Sequence, residues 1–495
     1  MTKTPTRQTR FARVLLAAAG LALAACSVNP ATGERNFTAF MSPEDELKFG
    51  QEEHPKILDQ FGGAYNDPKI AAYVDRIGQE LARVSELPDL KFTFTVLDDD
   101  IVNAFALPGG YVYISRGLLG LANNEAELAG VLGHEIGHIT GRHSAQRYSQ
   151  TVLSGIGTFG VSVLSSVFLG TTAVGDAVGQ SAAVYLQGFS REHEFEADTL
   201  GVRYLARTGY DTGAVASFLA SLEAYSALEA KVSGLPDPAS RFNIMSTHPR
   251  TGDRVTAAIN AANVQPVAQP NDGHRAYLNA INGITFGDSE REGFVRGRVF
   301  VHKPANFLFE VPPNFNLFNG AQQVTARGPN GSAILFSGGR ISHHGNMASY
   351  LTRVWGKGAR LSGVETITIN GMEAATGRTR VRNQSGSLDV RLVAIRHDSN
   401  HIYRFTFLTR PAQTRNFDAE LRRTTFSFRK LTAADRARYD AWKIEMRVVR
   451  RNDSVASLSR GMPMSGPKEE WFRVLNGMAP GEEPSPGDVA KVVVE

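Results

Sequence analysis

The chain has 495 residues, of which 42% are apolar and 21% are charged. It is too long for one hydrophobic core and too apolar for general disorder, so we expect several folded domains. The formal net charge of +4 comes from residues 1–26, which hold four basic residues and no acid, while the other residues carry 49 basic and 49 acidic groups. This balance gives no support for nucleic-acid binding.

Residues 1–26 are typical of the signal peptide of a bacterial lipoprotein. Basic residues come first, and the apolar run VLLAAAGLALAAC is too short for an ordinary membrane span. It ends in a sequence that resembles the lipobox, in which cleavage precedes a lipidated cysteine, here Cys26. Cys26 is the only cysteine, which excludes an intramolecular disulfide, and the following Ser27 directs such lipoproteins to the outer membrane. We expect a periplasmic protein that is lipid-anchored to the inner leaflet of the outer membrane; the alternative is a plain signal peptide with an incidental cysteine.

The next elements are predicted to be helices around a small sheet. Residues 42–87 have helical character, and their Ser-Pro opening is a helix start signal. The stretch NAFALPGGYVYISRGLL predicts a strand, a tight turn, a second strand and a helix. Asn124 and Glu127 predict a capping box at the start of a further helix. Residues 151–186 are rich in small residues, and we expect a mobile helical hairpin there rather than a membrane span.

The helix predicted after Asn124 carries the motif HEIGH. His134 and His138 are four residues apart, so both imidazoles lie on one face and can bind one ion. Glu135 lies beside them, as a base that accepts a proton from a zinc-activated water molecule requires. His143 is rotated by about 140° from His138 around the same helix, so we expect it to miss the metal.

A third ligand is expected in the stretch SREHEFEAD. Glu194 and Asp198 are again four residues apart on a predicted helix. Glu194 would complete the ligand set, and Asp198 would accept the second N–H of a ligating histidine, most simply His134. The alternative is a solvated acidic face.

HEIGHITGRH followed by SREHEFEAD resembles the zinc metallopeptidases of HtpX and the CAAX prenyl proteases, peptidase family M48, which are gluzincins. The periplasmic BepA-like and LoiP-like lipoproteins are closest in layout, over residues 27–265. The resemblance implies one Zn²⁺ per chain, held by His134, His138 and Glu194, with Glu135 as general base and acid and Asp198 behind the ligands.

The same resemblance extends to two further stretches. In STHPRTGDR it places His248 near the zinc, either blocking the open coordination position or assisting catalysis by a hydrogen bond to the oxyanion. Arg254 of that stretch is expected to be structural. The hairpin NAFALPGGYVYIS matches the edge strand that holds extended substrate, which makes Asn103, Ala104 and Phe105 candidates for backbone contacts with the substrate. The alternative is an ordinary core hairpin.

The second half of the chain is richer in β-strand patterns and in basic residues. We therefore expect the peptidase domain to cover residues 27–285, a β-rich α+β domain of unknown role to cover residues 286–435, and a small module to cover residues 440–495. The last module has the order strand, helix, helix, strand and resembles LysM, a cell-wall glycan binder. The sequence leaves open whether it binds peptidoglycan or is a structural cap.

The overall fold class is therefore α+β, with a mainly helical zincin domain and a small edge-strand sheet. We expect an endopeptidase that hydrolyses misfolded or stalled periplasmic and outer-membrane proteins. The alternative is an envelope assembly or chaperone-like scaffold with latent peptidase activity. A glycan hydrolase is not supported, since no paired carboxylates are found in the sequence.

Overall fold

The computed structural model describes residues 26–153, 188–233, 248, 252–320, 323–383 and 386–495. The chain divides into two compact units: residues up to Ile284 together with Ile444–Val494, and Thr285–Lys443. The signal peptide predicted before Cys26 and nearly all of the hairpin predicted at 151–186 lie outside the described residues. The mixed α+β fold is confirmed. In the described ranges no helix is both long enough and apolar enough to cross a membrane.

The first unit is mainly helical. Its helices are α1 (Pro43–Gln60), α2 (Pro68–Arg83), α3 (Arg116–Leu121), α4 (Glu125–Thr140), α5 (His143–Leu153), α6 (Arg191–Thr208), α7 (Ala214–Ser233), α8 (Gly252–Val264) and α9 (His274–Ile281). Its N-terminal strands are β1 (Cys26–Val28), β2 (Arg35–Phe37), β3 (Thr93–Leu97), β4 (Ala104–Leu107) and β5 (Tyr111–Ser115). β1 pairs with β2, and β3, β5 and β4 form a sheet in that order, with β4 at its edge.

Helix α4 is the centre of this unit, since all sixteen of its residues are buried. Asn124 caps it by accepting a hydrogen bond from the backbone N–H of Glu127 at 2.7 Å. In a complete capping box the Glu127 carboxylate would accept a hydrogen bond from the backbone N–H of Asn124. Here it accepts from the N–H of Asn123, one residue earlier. A buried helix has no polar face, which explains why the sequence around HEIGH is so apolar.

Glycines bring α4 very close to α6. A Cβ atom at Gly133 would lie 3.2 Å from the Cα of Gly201, and one at Gly137 would lie 3.1 Å from the Cα of Ala197. Larger side chains at these crossing points would push the two helices apart. The close crossing sets the distance between the two helices that carry the metal motif.

The C-terminal residues of the chain form β18 (Trp442–Val448), which enters the first unit at Ile444, and then α12 (Val455–Ser459), α13 (Lys468–Leu475) and β19 (Val489–Val494). They pack on the helical part of the unit. The buried ammonium group of Lys491 donates to the carbonyls of Gly120, Leu121 and Ala122 at 3.1, 3.1 and 2.8 Å, at the C-terminal end of α3. The order strand, helix, helix, strand agrees with the sequence pattern, and the likeness to LysM stays a prediction.

The second unit is built on an antiparallel sheet of seven strands, in the order β10-β11-β12-β16-β15-β14-β13. Its strands are β6 (Thr285–Phe286), β7 (Phe294–Arg296), β8 (Val299–His302), β9 (Phe307–Glu310), β10 (Asn316–Asn319), β11 (Val324–Arg327), β12 (Ala333–Arg340), β13 (Ser362–Ile369), β14 (Met372–Asn383), β15 (Gly386–Arg396), β16 (His401–Thr409) and β17 (Arg429–Lys430). Its helices are α10 (Thr414–Ser427) and α11 (Ala433–Arg438), with a short turn at Met347–Ser349 that continues into a π-helix at Tyr350–Trp355. One face of the sheet carries a phenylalanine-rich core, and the other packs against residues 347–355.

Candidate metal centre

Two elements of the first unit supply the three ligands predicted from the motifs. His134 and His138 lie one turn apart on α4, and their Nε2 atoms are 3.0 Å apart. Glu194 lies in the first turn of α6, which Ser190 caps. The Glu194 carboxylate approaches both histidines, with Oε1 3.4 Å from Nε2 of His138 and Oε2 3.6 Å from Nε2 of His134. The structure therefore brings the three side chains together, and all are buried.

His248 supplies a fourth donor atom at the same point. Its Nδ1 lies 3.1 Å from Nε2 of His134 and 2.9 Å from Oε1 of Glu194. One ligand atom from each of His134, His138, Glu194 and His248 lies within 4.8 Å of all the others. Four atoms that bind zinc tetrahedrally at about 2.1 Å would be about 3.4 Å apart, which agrees with these spacings. Three imidazole nitrogens and a carboxylate converging on one point thus fit a divalent cation, and in this arrangement His248 fills the fourth corner.

The electrostatics favour the ligating forms of His138 and Glu194. For His248, burial lowers the pKa, but the charges of Glu194 and Glu135 outweigh burial and raise it, which favours the protonated form. Burial lowers the pKa of His138 well below its ordinary value, so the neutral imidazole dominates. Burial alone would raise the pKa of Glu194, but the charge of His248 and hydrogen bonds with His138 and His248 hold it well below its ordinary value. Neutral histidine and ionised glutamate are the forms that bind a metal ion.

His134 is supported from behind by charged groups. Its Nδ1 lies 2.9 Å from Oδ1 of Asp198, the partner predicted from the sequence. Arg254 of α8 donates two hydrogen bonds of 2.8 Å to the Asp198 carboxylate, and its Nη1 lies 2.7 Å from Oε2 of Glu194. From the sequence, only a structural role was expected for Arg254. Its guanidinium instead connects the carboxylate of Glu194, in the ligand cluster, to the carboxylate of Asp198, which orients His134.

His138 is supported differently, by a residue for which the sequence offered no role. The Nδ1 of His143 lies 2.8 Å from the Nδ1 of His138, and the His143 side chain is fully buried. His143 is not among the grouped ligands, and it lies on α5 rather than on the helix of His138, to which the sequence reasoning assigned it. It nevertheless reaches His138 because Gly141 ends α4 and Arg142 adopts a left-handed conformation with φ of 53°, which turns the chain back. The Gly-Arg-His sequence after HEIGHIT is the signal that could have indicated this turn.

Glu135 lies against the cluster in a fully buried position. Within the described residues, neither of its carboxylate oxygens has a hydrogen-bond partner, and Oε1 lies 3.4 Å from Nε2 of His248. Burial raises the pKa of Glu135, and the charges of His248 and His134 oppose this effect. A carboxylate with a raised pKa and free oxygens is well suited to accept and return a proton.

An apolar pocket opens beside His134 and Glu135. It is walled by α4 and α7, and its apolar lining residues are Val131, Val215, Phe218, Leu219 and Leu222. His248 and Arg254 lie on its polar side. A pocket of this composition next to the metal ligands can take up an apolar side chain.

The candidate substrate strand is β4, preceded by Asn103. Ala104 pairs with Ile114 and Phe105 with Tyr113 of β5, while Asn103, Ala104 and Phe105 are all buried. The edge position of β4 is compatible with the addition of an extended peptide. Its contact with substrate stays a prediction.

Comparison with known proteins agrees with this geometry. Residues 68–262 match the family model Peptidase family M48, which confirms the resemblance predicted from the two motifs. The beta-barrel assembly-enhancing protease of Escherichia coli (strain K12) is 31% identical over 204 residues, which are 40% of this chain and 40% of that protein. The corresponding Yersinia pestis protein is 31% identical over 220 residues, which are 43% of each chain. The mitochondrial metalloendopeptidase OMA1 of Schizosaccharomyces pombe is 29% identical over 235 residues, which are 46% of this chain and 63% of that protein. The chain thus spans about two fifths of the length of these two bacterial relatives.

Proposed function

We propose, from the peptidase family M48 domain that residues 68–262 form, that this chain is a zinc-dependent endopeptidase of the bacterial envelope. The observation that carries the proposal is the buried convergence of His134, His138 and Glu194 next to Glu135, whose carboxylate makes no hydrogen bond within the described residues. Zinc bound by these donors would act as a Lewis acid and would lower the pKa of a water molecule toward about 7.

The protein's own groups account for the proton transfers. Glu135 accepts a proton from the attacking water molecule and returns it to the departing amine, a cycle favoured by its raised pKa. His248 lies 3.4 Å from Glu135 and, once displaced from the ligand cluster, could donate to the oxyanion. Asp198 and Arg254 keep His134 in place during these steps.

The surroundings of the site support a protein substrate. The apolar pocket between α4 and α7 would receive an apolar side chain beside the cleaved bond, and β4 would hold the substrate backbone. Apolar side chains and free backbone groups are exposed together in unfolded polypeptides. We therefore propose misfolded or stalled periplasmic and outer-membrane proteins as substrates.

The location and other partners are proposed from the sequence. Lipidation of Cys26 would hold the protein at the inner leaflet of the outer membrane, in the periplasm. The C-terminal module of residues 440–495 would, if it behaves as LysM does, add contact with peptidoglycan.

One observation favours a second candidate function. In the described arrangement His248 takes the fourth corner of the ligand cluster, so no position is left for water while it stays there. A peptidase held closed in this way would act mainly as an envelope assembly scaffold whose activity is latent. A His248→Ala variant distinguishes the two functions, because it increases casein hydrolysis if the histidine blocks the site and decreases it if the histidine is catalytic.

The central test is the Glu135→Gln variant. We expect it to retain one zinc per chain and to lose at least a thousandfold in kcat, because the proton acceptor is removed while the ligands remain. Metal analysis and casein hydrolysis with and without a chelator measure the two properties. Glu192→Gln, an exposed glutamate in the first turn of α6, is the matched control and should be fully active. Substantial chelator-sensitive activity in Glu135→Gln would disprove the assignment.

A further inference from the structure

We propose that the segment directly after Cys26 is part of the metal centre. Asn29, acting through Glu196 and His143, holds the imidazole of His138 in the orientation that binds the metal. These three residues are positioning residues, since none of them lies among the four grouped donors. The inference rests on the proposed function, because it assumes that His138 binds zinc.

The first link is the contact between the two histidines. The Nε2 of His138 faces the other ligands, so the proton of this neutral imidazole is on Nδ1, which donates to the Nδ1 of His143 at 2.8 Å. The ring of Phe189 stacks on His138 with centroids 3.9 Å apart. Stacking fixes the plane of the His138 ring but not its rotation within that plane. The hydrogen bond to His143 supplies the missing constraint.

The second link joins His143 to Glu196. Since Nδ1 of His143 accepts a hydrogen bond, its proton is on Nε2. This Nε2 faces Oε2 of Glu196 at 3.5 Å, an electrostatic contact without hydrogen-bond geometry. His193 stacks on His143 with centroids 4.3 Å apart and planes inclined by 12°. Stacking therefore fixes the plane of His143, and the Glu196 carboxylate favours the tautomer that presents a lone pair to His138.

The third link reaches the N-terminal segment. The Nδ2 of Asn29 donates to Oε1 of Glu196 at 2.7 Å, and Asn29 is 1% exposed. Its Oδ1 accepts from the backbone N–H groups of Ala31 and Thr32 at 2.8 and 3.3 Å. Both ends of the Asn29 amide are thus satisfied, and the amide cannot rotate without losing one of these hydrogen bonds.

Arg142 provides a second connection between the same two regions. It directly precedes His143 and has a left-handed backbone. Its guanidinium donates to Oγ of Ser27 at 2.7 Å, to the carbonyl of Met41 at 2.9 Å and to Glu46 at 3.1 Å. The segment at 27–29 therefore holds His143 from two sides, and its docking would complete the support of a metal ligand located more than 100 residues away.

Zinc affinity of the full mature chain tests the inference. Zinc dissociation constants would be measured by chelator competition, with visible spectra of the cobalt-substituted protein as a readout of ligand geometry. We expect His143→Phe, which keeps the ring but removes both nitrogens, to raise the zinc Kd by about 10–100-fold. Asn29→Ala and the isosteric Glu196→Gln should raise it several-fold. Each should also shift the cobalt spectrum, which a general loss of stability would leave unchanged.

The controls and the double variant decide the outcome. Asn263→Ala and Glu192→Gln replace exposed residues of the same types and should leave both readouts unchanged. If Asn29 acts through His143, the Asn29→Ala/His143→Phe double variant will have the Kd of His143→Phe alone. A zinc-binding wild type with unchanged affinity in Asn29→Ala, or fully additive effects, would overturn this inference only. A wild type that binds no zinc would overturn the proposed function as well.

Discussion

The two histidines of the HEIGH motif are supported by different chemistry. His134 donates to the carboxylate of Asp198, which is held by the buried guanidinium of Arg254. His138 donates to a neutral imidazole, His143, and a charged group follows only at Glu196. A ligating histidine thus requires a fixed acceptor for its second N–H, and that acceptor need not be a carboxylate. Disrupting the charged support should lower the free energy of unfolding more, because it leaves buried carboxylates without their cation.

The largest expected effect is on the free energy of unfolding, and it comes from removing Arg254, the cation that supports His134 through Asp198. Arg254→Leu leaves Asp198 and Glu194 buried without their shared partner, and we expect the free energy of unfolding to fall by about 3–5 kcal/mol. Urea unfolding of the metal-free protein measures this change. Arg191→Leu is the control, since Arg191 forms an exposed ion pair with Asp253 whose loss should cost at most about 1 kcal/mol. If both variants lost the same free energy of unfolding, the buried contacts of Arg254 with Asp198 and Glu194 would not stabilise the protein more than an exposed ion pair does.

The same chemical change, from carboxylate to amide, can be made in the support of either histidine, and its effect on zinc affinity can be compared. Asp198→Asn should raise the zinc Kd by about 10–100-fold, because the charged acceptor of His134 is lost while its shape is kept. Glu196→Gln makes the same chemical change one link further from a ligand, so its effect on the zinc Kd should be several-fold smaller. Chelator competition on both purified variants gives the ratio. A larger effect of Glu196→Gln would reverse the order of the two supports.

The smallest effect is expected at Glu46, which accepts a hydrogen bond from Arg142 next to His143. Burial raises the pKa of Glu46 to about 7, although Arg142 opposes this shift. A carboxyl whose folded-state pKa is raised stabilises the fold fully below about pH 4.5, and this contribution is lost as the pH rises through 7. Relative to Glu46→Gln, the wild type should therefore lose on the order of 1 kcal/mol of unfolding free energy between pH 5 and pH 7. Urea unfolding at both pH values measures the difference, and parallel pH profiles would rule out the titration of Glu46.

The comparison also explains what sequence reasoning could and could not predict. The support of His134 follows from helical spacing, because Glu194 and Asp198 are four residues apart and must share a face. The support of His138 depends on the reversal of the chain at Arg142 and on Asn29, so it has no periodic signal. The bridging role of Arg254 depends on the place where α8 packs, which spacing alone cannot indicate.

The fold was predictable to a similar extent. Alternating apolar residues and turn residues are enough to predict the β4–β5 hairpin and the high strand content of the second half of the chain. The close crossing of α4 and α6 depends on Gly133 and Gly201, which are ordinary small residues when the sequence is considered alone. The C-terminal residues have a recognisable order of elements, but their packing on α3 depends on Lys491, whose partners are backbone carbonyls and leave no sequence pattern.

The bonds of Lys491 have a consequence for the timing of folding. Its side-chain nitrogen donates to the carbonyl of Ala122, two residues before the cap of α4, so this carbonyl obtains its buried partner only after residue 491 has been synthesised. At about 5–20 residues per second, residue 491 follows residue 122 by roughly 20–70 s. The whole Thr285–Lys443 unit is therefore synthesised before Lys491 can bind this carbonyl. During that interval the three carbonyls at the C-terminal end of α3, next to the helix that carries HEIGH, lack the side chain that binds them in the folded protein.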